Sequence, residues 1–107
     1  MFYKKDLSNY RKAFDGVTYK TLTYGNKTSL GEFHLEKGYI IPNHKHPHEQ
    51  TGYVISGRMT FIIDGERHSA EQGDSWCIPG NVEHGVEVHQ DSLVIEVFSP
   101  AREDYLP

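Results

Sequence analysis

The stretch Pro42-Asn43-His44-Lys45-His46-Pro47-His48-Glu49-Gln50 places three of the chain's seven histidines within five positions. Along an extended strand, side chains at i and i+2 share a face. His44 and His46 can therefore point inward together while Lys45 faces solvent. Pro47 interrupts the strand, and His48, Glu49 and Gln50 compete for the next inward position. A metal site needs three or four convergent nitrogen or oxygen donors, and a His-x-His pair supplies two of them. A lone histidine here would read as part of a solvated loop. The pair, with a glutamine beside it and His84 on a later strand, points to a divalent metal.

Outward from this stretch the chain reads as strands. Ten glycines and five prolines punctuate the 107 residues at short intervals. Runs of β-branched and aromatic residues cover 17–24, 29–36, 39–41, 53–55, 59–63, 75–78, 84–88 and 93–98. Asp64-Gly65 is the strongest hairpin signal, because both central residues of a type I′ turn need positive φ. Leu7 to Phe14, with Ser8 as a cap, is the one stretch that predicts a short helix. Turn signals recur roughly every eight to twelve residues, which predicts an all-β sandwich or barrel. Nothing suggests a linker or repeat, so residues 1–107 are expected to form one domain.

Composition narrows the function. Hydrophobic residues make up 36% and charged residues 24%, and no apolar run approaches the ~20 residues of a membrane helix. Eleven basic against fifteen acidic residues give a net charge of -4, which argues against nucleic acid as a partner. No signal peptide is evident, and the one cysteine suits a reducing compartment; a cytoplasmic location is expected.

A second stretch makes the pattern specific. Gly38, five residues, His44-x-His46, three residues, Gln50, six residues and Gly57 resemble the first cupin motif. Gly73, five residues, Pro79 and then His84 resemble the second. The resemblance implies a cupin jelly-roll barrel (a double-stranded β-helix) with a divalent metal held by His44, His46, residue 50 and His84. Zn, Ni, Mn, Fe and Co all suit three imidazoles and an amide. Position 50 is Gln where cupins most often carry Glu, and Asn81 stands where glycine is usual; Asn tolerates a left-handed backbone. With four neutral donors the metal keeps its full charge, which favours Lewis acidity and an anionic ligand over oxidation. An inward Glu49 would cancel that advantage.

The same stretch, together with Glu96-Val-Phe-Ser-Pro-Ala-Arg-Glu-Asp-Tyr-Leu106, is similar to the small cupins that linearise 4,5-unsaturated uronic acids in pectin and alginate catabolism. That resemblance implies an isomerase or lyase acting on a small acidic sugar. It maps a catalytic carboxylate onto Glu96, where that group carries Asp, an aromatic contact onto Phe98 and a substrate arginine onto Arg102. His48 is a candidate substrate contact. A cupin dioxygenase using Fe(II) or Mn(II) and a non-catalytic sugar-binding cupin are the alternatives. Strand parity agrees with the placement: Val94, Glu96 and Phe98 share one face of an otherwise apolar strand.

Cys77 is expected to pack as a small buried hydrophobe, and Trp76 to face the other way, toward a surface or dimer contact. His34, His68 and His89 read as exposed or structural. A small open jelly roll has edges to cover, so a homodimer is expected, with Tyr19, Leu22 and Tyr24 contributing.

Overall fold

The computed structural model describes residues 1–107. Ten strands follow in order: β1 Arg11–Phe14, β2 Val17–Tyr24, β3 Ser29–Leu35, β4 Ile40–His44, β5 Glu49–Ser56, β6 Arg58–Ile63, β7 Glu66–Glu71, β8 Ser75–Ile78, β9 His84–Val88 and β10 Ser92–Ser99. A six-stranded sheet runs β1-β2-β3-β10-β5-β8, and a four-stranded sheet runs β4-β9-β6-β7. Every pairing is antiparallel. This is the expected all-β jelly roll. No helix is long and apolar enough to cross a membrane.

Alternation builds the core. In β10 every second residue from Ser92 to Phe98 is buried, and β3 buries Phe33 and Leu35 from the same sheet. The facing sheet contributes Ile41, Met59, Phe61, Ala70, Val86 and Val88. The β6–β7 hairpin turns at Asp64 (φ 50°) and Gly65 (φ 81°), the paired positive φ values that the sequence signals. Asn81 takes φ 65°, so the turn before β9 survives without glycine.

Several segments differ from the sequence reading. β7 shows no apolar run because Ala70 is its one buried residue, and β5 begins at Glu49, ahead of the run at 53–55. Residues 7–14 do not form a helix. The Ser8 hydroxyl and amide turn back to Asp6 Oδ1 at 2.7 and 2.9 Å, and Arg11–Phe14 pairs with β2 across the Asp15-Gly16 turn. An isolated helix this short has too few hydrogen bonds to offset nucleation, whereas the hairpin joins an existing sheet. Pro42 lies inside β4 rather than ending it. The β4–β9 register is irregular between Ile41 and His44, and β4 is an edge strand, where a missing N–H is tolerated.

Tyr19 is 4% exposed. It stacks on Phe33 and meets Tyr105 with ring centroids 4.3 Å apart. It therefore serves the protomer's own core and is not available to a dimer contact.

A candidate metal centre inside the barrel

His44 and His84 are register partners on β4 and β9, with ring centroids 4.4 Å apart. His46 lies in the loop after β4 rather than on the strand, yet it converges on the same point. One ligating atom from each of the three lies within 4.8 Å of the others. Gln50, the second residue of β5, is buried while Glu49 is exposed. The inward position is thus Gln50, and Glu49 instead lies beside Cys77 Sγ at 3.9 Å.

Backbone carbonyls fix the three rings. His44 Nδ1 donates to Pro42 O at 2.9 Å, His46 Nδ1 to His48 O at 3.0 Å, and His84 Nδ1 to Val82 O at 2.9 Å. A carbonyl only accepts, so each Nδ1 carries a proton, and the neutral form of each ring has its lone pair on Nε2. Such an outer contact orients a metal-ligating imidazole.

Two observations test whether a cation fits. His84 Nε2 is buried and has no hydrogen-bond partner. His46 Nε2 lies 2.9 Å from Gln50 Oε1, while Gln50 Nε2 donates to both oxygens of Glu96, at 2.8 and 2.9 Å. Two lone-pair atoms therefore face each other. A proton on His46 would relieve this, but burial, with help from Arg102 and His84, pushes its pKa down to about 4. A divalent ion between them would relieve it as well, by taking up both lone pairs. The donor set fits a divalent cation.

Beyond Gln50 lies Glu96, 7% exposed. Burial pushes its pKa up to about 7, against the lowering effect of hydrogen bonds from Gln50 and Trp76 and of the Arg102 charge. It sits inside the barrel, not on a solvent-facing edge. Arg102 follows β10 at the barrel mouth. Its guanidinium lies 4.1 Å from the Tyr105 ring centroid and 5.2 Å from that of Phe98, and Nε donates to Asp104 at 3.0 Å. His44, Gln50, His84, Glu96, Phe98 and Arg102 all wall a cavity of ≈ 50 Å³.

Phe98 is 2% exposed, its ring packed against Phe33, His46 and Tyr105, so it forms a wall rather than an open platform. The His48 ring does not wall the cavity. It packs beside His46, centroids 5.5 Å apart, because β5 begins only at Glu49 and the inward parity starts with Gln50. His48 serves the site through its carbonyl.

Trp76 and Cys77 are reversed relative to expectation. Cys77 is exposed, whereas the Trp76 ring meets Phe61 at 4.3 Å and its Nε1 donates to Glu96 Oε1 at 3.1 Å. The signal was available: Trp76 shares strand parity with Ile78, which is fully buried. Tyr105 was also missed. It is carried by the 3₁₀ turn Glu103–Tyr105, whose end is tied down by Thr21 Oγ1 and Arg11 Nη2 donating to Tyr105 O, each at 2.7 Å.

Known proteins share this arrangement of sheets. The family described as "Cupin domain" matches residues 31–99. The pectin degradation protein KdgF of Dickeya dadantii (strain 3937) is 32% identical over 107 residues, covering 98% of this chain and 97% of that protein. The structure of KdgF from a Halomonas species superposes with a TM-score of 0.91 at 29% identity, covering 99% of this chain and 100% of that one. An RmlC-like cupin from Shewanella frigidimarina gives a TM-score of 0.92 at 26% identity, covering 99% and 96%. With the family match spanning most of its length and a full-length relative above 30% identity, the chain belongs to the cupin domain family.

Proposed function

We propose that the protein is a metal-dependent isomerase that opens and tautomerises a small acidic sugar, with a 4,5-unsaturated uronate as the substrate class. The observation that carries this reading is Glu96, a buried carboxylate hydrogen-bonded to Gln50 beside the histidine cluster and facing the same cavity as Arg102. A carboxylate so placed can take and return a proton. The similarity to two proteins named KdgF, one described as a pectin degradation protein, supports the substrate class.

In this reading His44, His46, Gln50 and His84 hold the divalent ion. When bound, it supplies Lewis acidity to the substrate carboxylate and a neighbouring oxygen. Arg102 presents its free guanidinium edge to the same carboxylate, since a planar fork matches that anion. Glu96 takes the proton of the substrate's hemiacetal hydroxyl as the bond from that carbon to the ring oxygen breaks. An aldehyde forms at one end and an enolate at the other, since the proton is on Glu96. Glu96 returns that proton to the far alkene carbon of the enolate, which becomes a ketone. The change is an isomerisation, so no co-reactant is consumed.

The test is to incubate metal-loaded protein with a 4,5-unsaturated galacturonate and follow loss of the conjugated-alkene absorbance. The expected result is rapid loss with wild type and near-background loss with Glu96→Gln. Background loss with both would favour a sugar-binding role, and oxygen uptake would favour a dioxygenase.

A further inference from the structure

The indole of Trp76 reaches Glu96 across an intervening strand. Gly52 on β5 is the register partner of Trp76 on β8 and also of Glu96 on β10. Adjacent strands lie about 4.8 Å apart, so a side chain at position 52 would stand between the two. A Cβ added at Gly52 would collide with the indole, its Nε1 included. The missing side chain is the passage through which the indole crosses β5, and Phe61 closes over it from the other sheet. Register position 31 on β3, the other neighbour of Glu96, is also glycine. The space a side chain would take at position 31 is filled by the Phe33 ring, so the polar contacts of the carboxylate come from Trp76 and Gln50.

We propose that Trp76 is a positioning residue for the metal centre: its indole N–H fixes the Glu96 carboxylate, which in turn aims the Gln50 amide oxygen at the histidines. An indole N–H donates only, so Glu96 Oε1 is held as an acceptor. The Glu96 oxygens then receive Gln50 Nε2, which leaves Gln50 Oε1 turned toward His46. Trp76 does not line the cavity and acts through two intermediaries. The contact it supports, Glu96 to Gln50, is the kind of outer contact whose loss shifts metal affinity by about 10–100-fold. The inference rests on the proposed metal site and goes beyond it by naming what holds the fourth donor in place.

The test replaces Trp76 by benzothienylalanine, which keeps the ring's shape and puts sulfur where the N–H stands. Zn(II) affinity is measured by competition with a chromophoric chelator. The expected result is binding weakened at least tenfold, with kcat reduced and KM within about twofold of wild type. Unchanged affinity and kcat would show that Trp76 only fills space, and would overturn the inference while leaving the metal site standing. A wild type that takes up no metal would overturn both. Trp76 is the only tryptophan, so a second measurement needs no variant at position 76. Its emission should shift when wild type is saturated with Zn(II), and the shift should be lost in Glu96→Gln. Emission that ignores the metal in wild type would overturn the inference.

Discussion

The side-chain amide of Gln50 spans His46 and Glu96, with Oε1 2.9 Å from the imidazole Nε2 and Nε2 2.8 and 2.9 Å from the two carboxylate oxygens. This contact explains why an amide stands where cupins most often carry a carboxylate. A Glu at position 50 would bring two carboxylates to hydrogen-bond distance in a buried site, where like charges cannot both remain ionised. The neutral donor leaves Glu96 free to serve the proton transfer proposed for it.

Gln50→Glu should therefore keep or strengthen metal binding while lowering turnover. The added charge favours the cation, but the new pair holds a proton between them at neutral pH. Metal content by emission spectrometry should match wild type, and kcat at pH 7 should fall about tenfold or more. The double substitution Gln50→Glu with Glu96→Gln should restore the hydrogen bond but not the turnover, because the basic group has moved.

His46→Ala and His84→Ala should each remove most bound metal. The three histidine donors are fixed by separate backbone carbonyls, so losing one leaves the others in place but short of a full set. Wild type should also lose thermal stability on chelation, since an ion that binds only the folded chain stabilises it by mass action. The two variants should show little chelator response. A double variant retaining full metal would remove these residues from the site.

Much of this site was legible in the residue order, for identifiable reasons. His44 and His84 sit on strands whose parity follows from simple alternation. Glu96 interrupts an apolar face, and a carboxylate there has to be buried or at an edge. His46 reaches the cluster by a route that strand parity does not describe: the loop after β4 turns it inward. Trp76 and Cys77 were reversed because β8 is a four-residue edge strand, too short for a pattern of its own. The crossing of Trp76 over Gly52 depends on a register between strands distant in sequence, which local pattern does not encode. The hairpin β1–β2 won over a helix for a similar reason, since its gain comes from sheet pairing.

Stability of the metal-free protein should carry a pH signature of Glu96. Burial raises its folded-state pKa from 4.5 to about 7. The contribution is fully present below pH 4.5 and is lost as pH rises through 7, in total on the order of 3 kcal/mol. His46 runs the other way. Its pKa is lowered from 6.5 to about 4, chiefly by burial, so its contribution is present above 6.5 and lost as pH falls through 4. Glu96→Gln removes only the first effect. In chelator, its melting temperature relative to wild type should rise steadily from pH 4.5 to 7. A constant difference would mean that Glu96 is not carrying a raised pKa.

Of the three residues expected at a homodimer contact, Tyr19 is committed to the core, whereas Tyr24 stays 45% exposed. Met1, Phe2 and Leu7 are 115%, 83% and 74% exposed, and the outer edge of β1 is unpaired. A terminal segment this apolar suits a second copy of the chain. Light scattering should give twice the chain mass of 12.3 kDa for the full chain and a single mass once residues 1–7 are deleted. A monomer at high concentration in the full chain would refute it.

The site should select a uronate over the matching neutral sugar, although the protein as a whole carries a net charge of -4. That overall charge repels an anion at long range, but salt screens it beyond about 8–10 Å. Inside the barrel the balance is different. A divalent ion held by neutral donors would contribute two positive charges and Arg102 one, against one negative charge each from an ionised Glu96 and from Asp104 paired with Arg102, which still leaves the cavity positive. Arg102 is held by Asp104 at Nε and by the faces of Tyr105 and Phe98, with its side chain only 11% exposed. A partly desolvated charge acts strongly on a ligand that reaches it. Titration calorimetry of metal-loaded protein should show binding of the uronate and none of the neutral sugar. Arg102→Ala should weaken the uronate at least tenfold, and Arg102→Lys should recover only part of the loss, because an ammonium cannot reproduce the two-pronged contact. Equal affinity for both sugars would mean that cavity charge does not choose the ligand, and would favour recognition through the sugar hydroxyls instead.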